Sequence, residues 1–184
     1  MIRAICAFIF KVLGWKLIVE FPPDLKKYII AAIPHTSSFD FPLGLMARSV
    51  LKLDIKYVGK HTLFRPPLGP IFYWLGGYPV NRTARGNFVD AVVDIFNEKE
   101  EFIICIAPEG TREKVDRLKT GFYHIAKGAK VAIIPTKLDY ANRELTFGKP
   151  FYPTDDEKAD LKFLENYFKG VRGRNPEKGW KVEG

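Results

Sequence analysis

Cysteine and histidine are both scarce. The 184 residues hold two cysteines, Cys6 in an apolar stretch and Cys105 inside FIICIA, and three histidines. Two thiols in those settings exclude a disulfide framework, and neither has a partner at metal-ligand spacing, so both read as buried and reduced. HExxH, paired CxxC and histidine clusters are missing, and no metal is expected. Neither a Walker loop nor GxGxxG is present. Long apolar runs are also lacking: near the N-terminus the longest runs from Ala4 to Phe10 and is closed by Lys11, whereas a bilayer span takes about 20 residues. A transmembrane helix is not expected. Lys11 and Lys16, with no small-residue cleavage site before KLIVEF, also speak against a secretory signal, so a cytoplasmic protein is expected.

What the chain has in quantity is apolar and basic surface. Hydrophobic residues make up 47% and aromatics 14%, and 29 Lys+Arg against 21 Asp+Glu leave a net charge of +8. A chain of this length buries roughly two-thirds of its unfolded surface as one domain and needs no staple. The positive surplus suggests an anionic partner, whether nucleic acid, an anionic membrane or acidic substrates. Repeats and low-complexity segments are absent, and Pro and Gly punctuate short periodic stretches without forming a linker.

Met1 to Leu13 reads as a short helix, and Trp15 to Phe21 as a strand stopped by Pro22 and Pro23. Tyr28 to Ile33 is a continuous apolar run of strand length, followed by a helix over Phe41 to Leu51 with Asp40 or Ser38 as its N-cap. Further strands are expected at Asp54 to Val58, Phe102 to Ala107 and Val131 to Pro135, with shorter ones at Leu138 to Tyr140 and Leu145 to Phe147. Helical spacing covers Pro70 to Leu75, Asn87 to Asn97, Gly121 to Lys127 and Asp155 to Lys169. The segment 170–184 reads as a flexible, poorly packed tail. Strands that are apolar on both faces and alternate with helices predict one α/β domain over residues 1–184, with a mostly parallel mixed sheet covered on both sides.

Ligands in such folds gather beyond the carboxyl ends of the strands, and the chemically interesting residues fall there. His35 follows YIIAAI, Glu109 follows FIICIA, and Thr136 and Lys137 follow VAIIP. His35 and Asp40 lie five positions apart in PHTSSFD, roughly 140° on a regular helix, so they can meet only across a turn. If they meet, Asp40 fixes the imidazole tautomer and His35 can take a proton from a hydroxyl. Taken alone, the pair is equally a helix cap beside a loop histidine. APEGTR, from Ala107 to Arg112, ends a strand in a glycine turn with a hydroxyl and a guanidinium, a cradle for a phosphate or oxyanion or an ordinary loop exit. Glu109 can hydrogen-bond a substrate hydroxyl or hold the turn through backbone donors. Arg82 and Lys60 are phosphate-binding candidates or solvated surface cations. His61 and His124 read as surface or packing residues.

Taken together and in order, these pieces resemble the glycerolipid acyltransferase superfamily of the 1-acylglycerol-3-phosphate acyltransferase type. PHTSSFD resembles its NHxSxxD block, Val58 to Arg82 its block ending in an arginine, APEGTR its FPEGTR block, and VAIIPTKLDY its VPIIPV block. The resemblance, running from about Tyr28 to Pro150, implies His35 as general base and Asp40 as its orienting acid. It implies Arg82 at the acceptor phosphate, with Glu109, Gly110, Thr111 and Arg112 in the acceptor site, and Lys60 and Pro135 in matching blocks. Pro34, Asn81, Ala107 and Glu113 depart from the usual asparagine, acid, phenylalanine and serine, which bears on acceptor identity.

The implied reaction moves a fatty acyl group from acyl-CoA or acyl carrier protein to a lysophospholipid hydroxyl, giving phosphatidic acid, without a resident cofactor. GxSxG is missing, in keeping with direct attack and no acyl-enzyme. Residues 1–20 then offer a membrane-surface helix and first strand, with Phe8, Phe10, Leu13 and Trp15 beside Arg3, Lys11 and Lys16. The alternative for this helix is packing on the core. The implied location is peripheral, on the inner face of the cell membrane. Two other readings stay open: another lyso-acceptor such as a lyso-ornithine lipid, and a basic membrane-binding module without turnover. No basic helix or aromatic sheet platform points to nucleic acid.

Overall fold

The computed structural model of the protein describes residues 2–80 and 88–180. Its elements in chain order are α1 (Ile2–Val12), β1 (Lys16–Val19), β2 (Lys27–Ile33), α2 (Asp40–Leu51), β3 (Ile55–Lys60), a 3-10 turn (His61–Phe64), α3 (Gly69–Trp74) and β4 (Gly77–Val80). They continue with α4 (Phe88–Glu98), β5 (Phe102–Ile106), α5 (Gly121–Ala129), β6 (Ala132–Asp139), β7 (Glu144–Phe147) and α6 (Glu157–Phe168). The strands form one seven-stranded sheet in the order β1-β7-β6-β2-β5-β3-β4. Every neighbouring pair is parallel except β6 with β7.

The continuous apolar strands have the reason the sequence suggests, because both faces of the sheet are covered. On β2, Ile29 and Ala31 face a core shared with Val92 and Phe96 of α4, Phe122 and Ile125 of α5, and Leu164 of α6. Tyr28 and Ile30 point the other way, into a core with Phe10 of α1 and Leu43 and Ala47 of α2. β2 lies at the centre, between β5 and β6, so the loops leaving those three strands open side by side at one end of the sheet.

The strand expected to end at Pro135 runs on to Asp139 and absorbs the separate strand expected at Leu138 to Tyr140. A proline is accepted inside it for a geometric reason. Ile133 exchanges hydrogen bonds with Phe151, and Gly148 donates to the Pro135 carbonyl, so the Pro135 nitrogen lies on the side of β6 just past the end of β7, at the edge of the ladder.

The tail also departs from expectation. Residues 170–180 pack across the carboxyl end of the sheet: Tyr140 N–H donates to the Arg172 carbonyl at 2.9 Å, and Val115 N–H to that of Gly179 at 3.1 Å. The Asn175 N–H and side-chain amide both donate to Thr36. Such a hold carries no apolar periodicity. It uses close backbone approach instead, as at Gly179, whose φ is +77° and where a Cβ would lie 2.7 Å from Thr36 Cγ2.

α1 packs on the domain along one face and leaves apolar residues exposed on another. Phe10 is buried, Arg3 Nε donates to the Val50 carbonyl of α2, and Ile2, Ile5, Phe8 and Val12 remain 51–68% exposed. Among the described residues no helix is long and apolar enough to cross a membrane.

The packing of the central strands sets a quantitative expectation. Ile104, fully buried on β5, has neighbours on every side, and Ile104→Ala should lower stability by about 2–5 kcal/mol. Urea unfolding with an unchanged m-value measures it. A loss below about 1 kcal/mol would mean that this face is not close-packed.

Candidate active site

β2 ends at Ile33, and the chain turns through residues 34–39 before α2 begins at Asp40. Across that turn His35 Nδ1 stands 3.0 Å from Asp40 Oδ2. The expected capping role is not seen. Phe39 occupies the N-cap without a side-chain cap bond, Asp40 lies within the first helical turn, and the Ser37 hydroxyl accepts from Phe39 N–H. The Asp40 carboxylate faces inward and has three donors: His35, the Ser37 N–H at 2.9 Å and the Tyr140 hydroxyl at 2.6 Å. Its side chain is 3% exposed, against 30% for His35.

Burial pushes the Asp40 carboxyl upward, but the hydrogen bonds from His35, Tyr140 and Ser37 outweigh it and hold the group below the usual carboxylate range. An ionised carboxylate at Nδ1 assigns the proton to that nitrogen and leaves the Nε2 lone pair free. Among the described residues no hydrogen bond reaches Nε2. Chemically, such a pair can take a proton at Nε2 while the carboxylate orients the ring.

Glu109 stands behind this pair, 1% exposed. Of the two tasks open to it, the structure shows the second. One oxygen accepts from the His35 backbone N–H and the other from Trp180 N–H at 2.8 Å, so a single carboxylate ties the ends of β2 and β5 to the tail. Burial raises its pKa, opposed by these two backbone donors. Gly110 follows at φ +67°, a left-handed position that suits glycine, and its N–H closes the turn on the Ala107 carbonyl.

Arg112 is exposed and its Nη1 donates to Ser38 Oγ, which brings the guanidinium onto the His35 loop. Arg174, from the tail, stacks 3.6 Å over the Phe39 ring. The Thr111 hydroxyl, also exposed, accepts from Glu113 N–H. Thr136 is buried, lines the same cavity as the pair and donates its hydroxyl to the Ile134 carbonyl of its own strand, while Lys137 lies over the Tyr167 ring. Lys60 ends β3 beside Val80, with its side chain outside the described residues, as Arg82 is altogether. Among the described residues no group of three or more His, Cys, Asp or Glu gathers as metal ligands.

His35 and Asp40 border a cavity of about 210 Å³ whose other walls include Ile30, Leu45, Ile55, Leu138, Leu145 and Phe147. Cys105 also lines it, and burial pushes its thiol up to about 12, so it stays protonated. A polar pair therefore borders a largely apolar cavity. The residue that sequence reasoning passed over is Tyr140. Its signal was position: it follows the strand hydrogen-bonded to β2, at the end where His35 emerges.

A family model described as Acyltransferase matches residues 17–139. The fold is similar to the crystal structure of the 1-acyl-sn-glycerophosphate (LPA) acyltransferase PlsC from Thermotoga maritima, with a TM-score of 0.57 and 21% identity over 91% of this chain and 75% of that one. No curated protein matches in sequence.

The depressed Asp40 carboxyl has a consequence for stability. Its contribution is present above the unfolded carboxylate range, about pH 4, and is lost as pH falls through the lower folded value. Glu109 is shifted the other way, mainly by burial and last by the Asp40 charge, so most of its own pH dependence is shared by wild type and Asp40→Asn. Urea unfolding should therefore show a gap of about 1–3 kcal/mol between the two near neutral pH, shrinking below about pH 4. A gap that stays constant down to about pH 3 would contradict a charged, hydrogen-bonded Asp40.

Proposed function

The chain belongs to the acyltransferase family, and from that premise we propose that it transfers a fatty acyl group from a thioester to the free hydroxyl of 1-acylglycerol 3-phosphate. The observation that carries the reading is the His35–Asp40 pair at the edge of the apolar cavity. The acyl chain of the thioester lies in the cavity with its carbonyl carbon near His35. Nε2 removes the proton from the acceptor hydroxyl, and the oxygen adds to the carbonyl as the C–O bond forms. The tetrahedral adduct then collapses, the C–S bond breaks, and the imidazolium returns its proton to the departing thiolate. Asp40 stabilises the imidazolium between the two steps.

Three observations support this acceptor. The solved structure with a similar fold is a 1-acyl-sn-glycerophosphate acyltransferase. Arg82, Lys60, Thr111 and Arg112 supply cations and a hydroxyl in the blocks where the resemblance puts the acceptor, and Glu109 and Gly110 shape that turn. The net charge of +8 suits a phosphate. The donor is acyl-CoA or acyl carrier protein, and no resident cofactor is required. The enzyme works at the cytoplasmic face of the membrane, where the exposed apolar stripe of α1 and Trp74 of α3, 78% exposed, meet the lipid beside Arg3 and Lys11.

Release of CoA thiol from a long-chain acyl-CoA, with and without 1-acylglycerol 3-phosphate, tests this reading. Acceptor-dependent release is expected, with kcat reduced about 10²- to 10⁴-fold in His35→Ala. Silence from folded protein across acyl-CoA, acyl carrier protein and a panel of lyso-acceptors would instead support a binding module. Unchanged turnover in His35→Ala would remove His35 from the chemistry.

A further inference from the structure

We infer that Tyr140 is a positioning residue for the catalytic pair: its hydroxyl, 2.6 Å from Asp40 Oδ1, locks the carboxylate so that Oδ2 stays aimed at His35 Nδ1. This rests on the reading of His35 as general base. The two Asp40 oxygens are unequally provided for. Oδ2 accepts from both the His35 ring and Ser37 N–H, while Tyr140 is the donor to Oδ1 among the described residues. With the side chain only 3% exposed, water cannot readily take the place of a lost donor. Removing the phenol leaves one charged oxygen unpaired in a poorly hydrated site, and rotating the carboxylate to share the remaining donors pulls Oδ2 off His35.

Tyr140 is itself held from two directions, which is what a positioning residue needs. Its ring meets Trp15 edge-on with centroids 4.9 Å apart, and its N–H donates to the Arg172 carbonyl of the tail. Burial and the adjacent Asp40 charge raise the phenol pKa, so it remains a donor at neutral pH. Other charged groups near the pair are Glu109, through the His35 backbone, Arg174, near the phenol, Arg112, on the His35 loop, and Arg48 and Lys56, which line the same cavity. Among the described residues none of them donates to Asp40 Oδ1. The tail thus acts on the site at one remove, by setting where Tyr140 stands.

The test is Tyr140→Phe, which keeps the ring and removes one oxygen. Losing a hydrogen bond to a charged group should lower kcat about 10- to 100-fold with KM for the thioester unchanged. In an Asp40→Asn background the same change should alter kcat less than about twofold, because the group it positions is gone. NMR adds a readout independent of turnover: the His35 Nδ1 proton should exchange with solvent about tenfold faster in Tyr140→Phe. 3-Fluorotyrosine at position 140 restores a donor and should return both rate and exchange to near wild-type values. It also serves if Tyr140→Phe does not fold, since a fluorotyrosine protein with fast exchange contradicts the inference. Equal losses in both backgrounds, or wild-type kcat and exchange in Tyr140→Phe, overturn it. Accelerated exchange in a protein that turns over no thioester would uphold the positioning and overturn the acyl-transfer reading.

Discussion

The site depends on keeping one buried carboxylate charged. Asp40 sits in the first turn of α2, nearly closed to water, and an ionised group there is tolerated only when its oxygens are met by donors. His35, Ser37 N–H and Tyr140 meet them from three stretches of chain: the end of β2, the turn and the end of β6. Each donor restricts where its segment can lie, so the demand of a single charge fixes the local path of the backbone. The same logic recurs at Glu109, a second buried carboxylate whose two oxygens join His35 to the tail.

The sheet makes this convergence possible. With β2 between β5 and β6 and all three parallel, their carboxyl ends open at one edge, and residues far apart in sequence become neighbours. His35, Glu109 and Tyr140 leave from three adjacent strands. The cavity opens where α2 crosses the face of the sheet carrying Ile30 and Leu145, so the His35–Asp40 pair borders a largely apolar wall. That division suits the proposed reaction, which joins a polar head to an aliphatic chain.

Much of the architecture was legible because apolar runs such as YIIAAI and FIICIA are long, unbroken and bounded by turn residues, which is the signature of strands covered on both faces. The His35–Asp40 pairing was legible as a question: their spacing permitted a meeting across a turn, and a helix cap was equally open. The structure decides it through the inward orientation of Asp40, which no local pattern encodes. Tyr140 and the tail were not legible for a shared reason. Their contribution lies in hydrogen bonds between residues about 70 to 140 positions apart, made largely by backbone groups that every residue type carries. The tail's lack of apolar periodicity made it read as loose, although glycine approach and polar ties hold it.

The side chains around His35 also speak to the course of the reaction. Thr36 Oγ1 accepts from Asn175, Ser37 Oγ from Phe39, and Ser38 Oγ from Arg112, while the Cys105 thiol is kept protonated by burial. None shows the paired base that activates a protein nucleophile. The proposed route is therefore direct transfer, with His35 acting on the acceptor. Intact-protein mass spectrometry after incubation with acyl-CoA and no acceptor, quenched within one turnover, separates it from an acyl-enzyme route. Direct transfer leaves a chain of unmodified mass. An acyl adduct that forms in the wild type and discharges when a lyso-acceptor is added would contradict it.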